Sequence, residues 1–101
     1  MSDKVISFIQ PSRNNLKYLQ WRYNSIRKNL GYRHEIMLAD DFSSDGTWEW
    51  LQKIKEKDIN VQIFKNKGPK RKGIVYWYDF LCKKSTSEIV MFFYTTIWKT
   101  N

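Results

Sequence analysis

The residues best suited to chemistry lie in the segment LADDFSSDGT, residues 38–47. Two neighbouring carboxylates, Asp40 and Asp41, follow an apolar run, and a Ser-Ser-Asp-Gly turn leads into a helical pattern. Carboxylates in such a place can accept hydrogen bonds from a base or ribose, or hold a divalent metal ion. The structural alternative is that Ser44 or Asp45 caps the helix while Asp40 holds the turn. We favour the cap for Asp45, and for Asp41 both roles stay open.

A strongly basic segment, KNKGPKRKG at residues 65–73, is the second candidate. Glycine and proline keep its backbone open, so ammonium and guanidinium groups can converge on a diphosphate. The alternative is a solvated charge run, which we favour for most of the single lysines. The glycine spacing matches neither a Walker A loop nor a Rossmann loop. The cations of the segment are Lys65, Lys67, Lys70, Arg71 and Lys72.

The remaining reactive residue types form no catalytic or metal-binding pattern. The single histidine, His34, has no Ser, Cys or second His close in sequence, so we interpret it as a surface histidine. The single cysteine, Cys82, allows no intrachain disulfide, and its position in a helical pattern indicates core or boundary packing. No catalytic residue is identified.

The composition indicates one basic globular domain. The chain has 101 residues, 42% of them hydrophobic, so residues 1–101 are expected to form a single domain around one core. The net charge of +8 predicts a preference for polyanions such as nucleotides, nucleic acid or an acidic membrane surface. No apolar run is long enough for a signal peptide or a membrane span, so a cytoplasmic location is expected.

Hydrophobic periodicity predicts alternating strands and helices in the order βαβαβαβ. This order predicts an α/β fold, with a parallel sheet of about four strands and helices on both faces. Pro11 is expected to end the first strand, and the continuously apolar last strand is expected to be buried on both faces. The predicted strands are 5–10, 34–40, 60–66 and 88–94, and the predicted helices are 14–31, 43–57 and 73–84.

The carboxyl ends of the predicted strands define where a ligand should bind. In open α/β sheets, ligands lie beyond these ends. The rule gathers the segments QPSRN, ADDFSSDG, KNKGPKRKG and YTTIW at one edge of the sheet.

Together these segments resemble the N-terminal, nucleotide-sugar-binding half of family-2 glycosyltransferases with the GT-A fold. The family pattern runs from a strand through Pro-Ser/Thr and a helix to Asp-Asp-x-Ser-x-Asp-Gly-Thr, then to a glycine-containing loop and an apolar strand. The matching stretches, VISFIQPSRNNLKYLQWRYNSIRKN, EIMLADDFSSDGTWEWL, KNKGP and SEIVMFF, cover nearly the whole chain. The resemblance implies binding of a nucleoside-diphosphate sugar, usually a UDP-sugar, and transfer of the sugar to an acceptor that the sequence does not identify.

The resemblance also implies particular site residues. Pro11 and Arg13 lie where family members contact the nucleoside, and Asp41 matches the residue that recognises the base. Residues 67–72 match the loop beside the base and diphosphate, with Arg71 as the best single candidate. The implied nucleotide-binding residues are Pro11, Arg13, Asp40, Asp41, Lys67 and Arg71.

The metal site of the family is not matched. After the apolar strand, the family places an Asp-x-Asp-type motif that holds Mn²⁺ or Mg²⁺ against the diphosphate, whereas this chain has Tyr94, Thr95 and Thr96. A neutral hydroxyl is a poor sole ligand for a hard cation. Either Asp41 serves as the remaining metal ligand, or the loop cations replace the charge of the metal.

Three functions stay open. The first is a glycosyltransferase-like domain that works as a homo-oligomer or with a partner chain, which would supply the acceptor side and cover an exposed apolar sheet edge. The second is a module that keeps nucleotide binding and has lost catalysis. The third, a small basic nucleic-acid-binding protein, ranks last because the cations concentrate in one loop and the first helix.

Overall fold

The computed structural model describes residues 6–29, 34–87 and 89–92. Strands and helices alternate in the predicted order, with boundaries within a few residues of the predicted ones. In this part of the chain, no helix combines the length and apolarity needed to cross a membrane. The elements are β1 (Ile6–Ser12), α1 (Leu16–Asn29), β2 (His34–Asp40), α2 (Thr47–Lys57), β3 (Val61–Lys65), α3 (Ile74–Lys84) and β4 (Ile89–Phe92).

The strands form one parallel sheet in the order β3-β2-β1-β4, which confirms the predicted α/β class. β1 and β2 pair along their whole length, from Ile6↔His34 to Ser12↔Asp40. Because all strands point the same way, the carboxyl ends of the two central strands, at Ser12 and Asp40, lie side by side. This side of the sheet is called the carboxyl edge below, and the opposite side the amino edge.

Alternate side chains of the strands point to opposite faces and build two cores. α1 and α2 cover the first core and α3 covers the second, so helices lie on both faces as predicted. Trp48 and Trp50 pack against the first core, Trp77 belongs to the second, and Tyr78 packs against the second. The first core holds Phe8, Leu19, Tyr23, Ile26, Ile36, Leu38, Leu51 and Val61, and the second holds Ile9, Met37, Ala39, Trp77 and Leu81.

β1 is longer than predicted. Pro11 does not end it, since the strand continues to Ser12 and Pro11 pairs in register with Ala39. Proline removes one N–H from a sheet ladder, but the described pairing of β1 with β4 ends at Ile9. Beyond that point only β2 flanks the proline in the described part of the sheet.

β4 and α3 expose residues that were predicted to be buried. Ile89 and Met91 are 48% and 41% exposed, so the expectation that the last strand is buried on both faces is wrong. The reason is topological: β4 is an edge strand of the described sheet, and its Val90 packs against the core beneath α3. Cys82 is also exposed, because α3 directs Leu81 and not its neighbour towards the sheet.

A charged cluster ties α1 to the turn between α2 and β3. The buried carboxylate of Asp58 accepts a hydrogen bond from the Tyr23 hydroxyl (2.7 Å) and pairs with Nε of Arg27 (3.1 Å). Burial and the neighbouring Asp58 raise the pKa of Tyr23 to about 12. Arg27 also donates to Nε2 of His34, which is buried at the start of β2, so the prediction of a surface histidine is wrong.

A second buried acid, Glu35, organises the amino edge. Its carboxylate accepts hydrogen bonds from the hydroxyl of Ser7 on β1 and from Nε2 of Gln62 on β3, the latter at 2.7 Å. The Ser7 and Ser85 hydroxyls lie 2.6 Å apart, and the backbone N–H of Thr86 also donates to Glu35. This Glu35 cluster therefore joins three strands to the segment that follows α3.

Replacing Tyr23 with Phe should lower the free energy of unfolding by about 1–3 kcal/mol, because a buried carboxylate loses a donor while the ring stays in the core. The raised pKa of Tyr23 contributes to the free energy of unfolding. This contribution is complete below the ordinary tyrosine pKa of 10.0 and is lost as the pH rises towards about 12. The difference between the two proteins should therefore shrink over that range. Urea unfolding followed by circular dichroism measures it.

Tyr76→Phe is the matched control, since the Tyr76 ring is exposed. It should change the free energy of unfolding by less than about 0.5 kcal/mol. Equal stabilities of wild type and Tyr23→Phe near neutral pH would contradict a stabilising role for the hydrogen bond between Tyr23 and Asp58.

Candidate functional site

Asp45 holds together the starts of two helices. Its carboxylate accepts hydrogen bonds from the backbone N–H groups of Leu16 (3.0 Å) on α1 and Thr47 (3.2 Å) on α2. Burial opposes ionisation, but these bonds and one from the Thr47 hydroxyl outweigh it, so the pKa of Asp45 lies below its ordinary value. The N-cap itself is Gly46 (φ 90°), and not Ser44 or Asp45 as predicted. Asp45 is therefore not the N-cap residue, although its carboxylate accepts hydrogen bonds at the starts of both helices.

Asp40 fixes the turn after β2. Its Oδ1 accepts a hydrogen bond from the backbone N–H of Ser43 (3.0 Å), and its carbonyl oxygen accepts one from Asn66 (2.9 Å). The side chain is only 1% exposed. Asp40 therefore lies behind the surface of the carboxyl edge, and its contacts match the turn-holding alternative.

Asp41 binds the basic loop, residues 66–73, to the end of β2. Its Oδ1 accepts hydrogen bonds from the backbone N–H of Lys72 (2.7 Å) and from Nδ2 of Asn66 (2.9 Å), and its Oδ2 accepts one from the N–H of Gly73 (2.9 Å). Burial raises the pKa of Asp41, but the hydrogen bonds outweigh this effect and bring the pKa below its ordinary value. The carboxylate is therefore charged near neutral pH.

Asn66 is a site residue that the motifs did not predict. It is 5% exposed, and its Nδ2 donates to Asp41 and to the carbonyl oxygen of Lys70 (2.7 Å). Its Oδ1 accepts a hydrogen bond from the N–H of Gly68 (2.8 Å). This contact to the backbone two residues later is the turn that an Asn-x-Gly sequence favours, so the order Asn66-Lys67-Gly68 was the available signal.

The ring of Phe42 lies against the basic loop at Gly68. Gly68 has a φ of +89°, and a Cβ added there would lie 2.5–2.9 Å from three ring carbons of Phe42. Glycine therefore meets both a backbone and a steric requirement at this point of the loop.

A pocket of about 370 Å³ opens at the carboxyl edge, between the end of β1 and the start of α3. Two of its lining residues, Arg13 and Arg71, carry guanidinium groups that have no hydrogen bond or ion pair within residues 6–29, 34–87 and 89–92. Unpaired guanidinium groups at one pocket form an anion-binding arrangement. The pocket is lined by Pro11, Ser12, Arg13, Asp41, Arg71, Gly73, Ile74 and Trp77.

Two buried polar atoms of this lining, Oγ of Ser12 and Nε1 of Trp77, make no full hydrogen bond in the described part of the chain. The indole N–H of Trp77 contributes to the lowered pKa of Asp41, although its geometry falls short of a hydrogen bond. Buried polar atoms normally have partners. Ser12 and Trp77 therefore combine a place in the pocket lining with a buried polar atom that lacks a full partner in the described part of the chain.

The pocket gathers four of the six predicted nucleotide-binding residues. The four that line it are Pro11, Arg13, Asp41 and Arg71, and the two that do not are Asp40 and Lys67. The described residues contain no group of three His, Cys, Asp or Glu side chains that could hold a metal ion. The predicted strand-tip positions Tyr94, Thr95 and Thr96 lie outside the described residues.

Fold and pocket together define the class: an α/β domain with a pocket, lined by two arginines, at the carboxyl ends of parallel strands. The sequence matches the model of glycosyl transferase family 2 over residues 7–93. The chain belongs to this family, which confirms the resemblance seen in the sequence.

The structure is similar to that of the mannosyltransferase PcManGT from Pyrobaculum calidifontis, solved in complex with GDP-Man and Mn²⁺. The TM-score is 0.73 at 19% sequence identity, and the match covers 89% of this chain and 27% of that one. The chain thus spans about a quarter of the mannosyltransferase, and the likeness identifies a GT-A-type fold. No curated protein matches the sequence significantly.

Gly68→Ala should open the basic loop to trypsin, because the added Cβ meets the Phe42 ring as well as an unfavourable φ. Gly73→Ala is the matched control, since its φ is +91° but no atom lies within 4 Å of the added Cβ. Overpacking costs about 1–3 kcal/mol, so cleavage within the loop should be about fivefold or more faster in Gly68→Ala. Peptide mapping by mass spectrometry measures the rates, and equal rates would exclude a steric role of Phe42.

Proposed function

We propose that this chain binds a nucleoside-diphosphate sugar, specifically a UDP-sugar, in the pocket at the carboxyl edge. The observation that carries the proposal is that Arg13 and Arg71 line one pocket without a partner in the described part of the chain. Each guanidinium can form bidentate hydrogen bonds with phosphate oxygens. Membership of glycosyl transferase family 2 supports the same class of ligand.

The pocket suits such a ligand in size and lining. Ligand pockets commonly measure about 300–1,000 Å³ and combine apolar walls with a few polar groups. This pocket measures about 370 Å³. Pro11, Ile74 and Trp77 provide apolar surface for a base, while Oγ of Ser12 and the indole N–H of Trp77 are polar groups without full hydrogen bonds.

In this proposal Asp41 serves chiefly as the wall of the pocket. A carboxylate offers about four acceptor positions. Hydrogen bonds from Asn66, Lys72 and Gly73 already occupy three of these positions on Asp41. About one position is therefore left for the N–H of a base, the role that the family resemblance implies for Asp41.

The described residues do not fit a divalent cation. They contain no cluster of three ligating side chains, and the oxygens of Asp41 accept hydrogen bonds from N–H donors. We therefore propose that Arg13 and Arg71 provide the positive charge at the diphosphate. The mannosyltransferase of similar fold was solved with Mn²⁺, so metal dependence is one arm of the test.

Sugar transfer would require more than this pocket provides. The reaction is attack of an acceptor hydroxyl on the anomeric carbon, with the nucleoside diphosphate as leaving group. Among the described residues, the acid that lines the pocket is Asp41, which is already engaged by hydrogen bonds. We propose that a second copy or a partner chain supplies the acceptor side. The exposed Ile89 and Met91 of β4 support such an assembly.

Calorimetric titration of UDP, with Mn²⁺ and with EDTA, tests the proposal. UDP should bind under both conditions, and Arg13→Ala and Arg71→Ala should each weaken binding about tenfold or more, because hydrogen bonds to charged groups contribute about 1.5–3 kcal/mol. Uridine, which lacks the diphosphate, should respond to neither substitution. GDP in place of UDP tests the identity of the base.

Lys67→Ala is the matched control, since it removes the same charge from the basic loop outside the pocket lining. It should alter UDP affinity by no more than about twofold. Binding that disappears with EDTA would overturn the metal-independent arrangement. If no nucleoside diphosphate binds at all, the proposed function is wrong.

A further inference from the structure

The side chain of Asn66 connects the end of β2 to two points of the basic loop. It contacts Asp41 on the strand side, and Gly68 and Lys70 on the loop side. It is nearly buried, at 5% exposure. Its oxygen and its nitrogen are both used, so the amide is matched to its surroundings as donor and as acceptor.

These contacts hold the backbone on both sides of Arg71. The carbonyl oxygen of Lys70, immediately before it, accepts from Nδ2 of Asn66 (2.7 Å). The N–H of Lys72, immediately after it, donates to Oδ1 of Asp41 (2.7 Å), the oxygen that Asn66 also contacts. The Arg71 side chain has no partner of its own in the described part of the chain. Its place at the pocket therefore depends on the backbone that carries it.

We propose that Asn66 is a positioning residue for diphosphate recognition, because it holds the backbone around Arg71 so that the guanidinium lies at the pocket. This inference rests on the proposed function, since it requires Arg71 to contact the ligand. Lys67 and Lys70 are exposed on the same loop. Without the Asn66 link, repulsion among these cations favours a more open loop.

An isosteric change at this position alters the link in a pH-dependent way. Asn66→Asp removes the N–H donors and places a second carboxylate against Asp41, which raises the pKa of the pair. Once protonated, the new side chain can donate one O–H to Asp41. Asn66→Asp therefore breaks the link near neutral pH and partly restores it in acid, whereas Asn66→Ala breaks it throughout.

UDP titrations of the wild type and both variants at about pH 8 and about pH 5 test the inference, since two carboxylates in contact favour protonation of one of them as the pH falls. Both variants should bind about tenfold or more weakly at the higher pH, the loss expected for an arginine contact. At the lower pH, Asn66→Asp should recover several-fold relative to Asn66→Ala. Asn24→Asp, the same charge change at an exposed position of α1, should match the wild type at both pH values.

A double-mutant cycle adds a readout that a purely structural role would not give. If Asn66 acts through Arg71, the two changes are coupled. Adding Arg71→Ala to the Asn66→Ala variant should then weaken UDP binding by less than about twofold. Asn66→Ala carries this cycle even if Asn66→Asp does not fold.

The outcomes separate the two hypotheses. A wild type that binds no nucleoside diphosphate rejects the proposed function and, with it, the role of Asn66. If the wild type binds UDP and Asn66→Asp binds UDP as tightly as the wild type at both pH values, only the positioning role is rejected. Additive losses for Asn66→Ala and Arg71→Ala do the same.

Discussion

The carboxylate of Asp41 lies where the end of β2, the basic loop and the start of α3 meet, and N–H groups from Asn66, Lys72 and Gly73 converge on it. Hydrogen bonds to an ionised acceptor are about twice as strong as neutral ones. The start of α3 also carries the positive end of the helix dipole, which favours the negative charge. The position of the pocket wall, and of Arg71 within it, depends on this single charged acceptor.

The cations of the chain divide into groups with different surroundings. Lys65 and Lys72 lie over the rings of Trp48 and Tyr76, at 5.2 and 5.4 Å. Arg27 pairs with Asp58. The two arginines of the pocket at the carboxyl edge, Arg13 and Arg71, combine a concave setting with the lack of a partner in the described residues. A net charge of +8 indicates polyanions in general, whereas the structure places two arginines together at one pocket.

Much of the fold followed from periodicity, because strands and helices of this length carry distinct apolar patterns. The segments that carry Arg13 and Arg71 were placed at one edge because parallel strands deliver their ends there. The choice of these two arginines as site residues came from the family resemblance. The exposure of β4 did not follow, because apolarity does not reveal which strand becomes the edge. The burial of His34 depends on a contact with Arg27 that only the packed α1 creates.

Asn66 escaped prediction for a related reason. In the sequence it is one amide within a run of cations, and its partner Asp41 lies 25 residues away. Its importance arises when β2 and β3 pair and bring the two side chains together. The contact depends on how β2 and β3 are aligned in the sheet, and the pattern of a single sequence does not specify that alignment.

β1 connects two regions with different tasks. Ser7 belongs to the Glu35 cluster at the amino edge, and Ser12 lines the pocket at the carboxyl edge, about 16 Å further along the strand at the usual rise per residue. The buried polar network at one end joins strands to one another, while the unpaired polar groups at the other end belong to residues that line a cavity. Substitutions at the carboxyl edge can therefore change ligand preference during evolution, while the contacts at the amino edge keep the sheet intact.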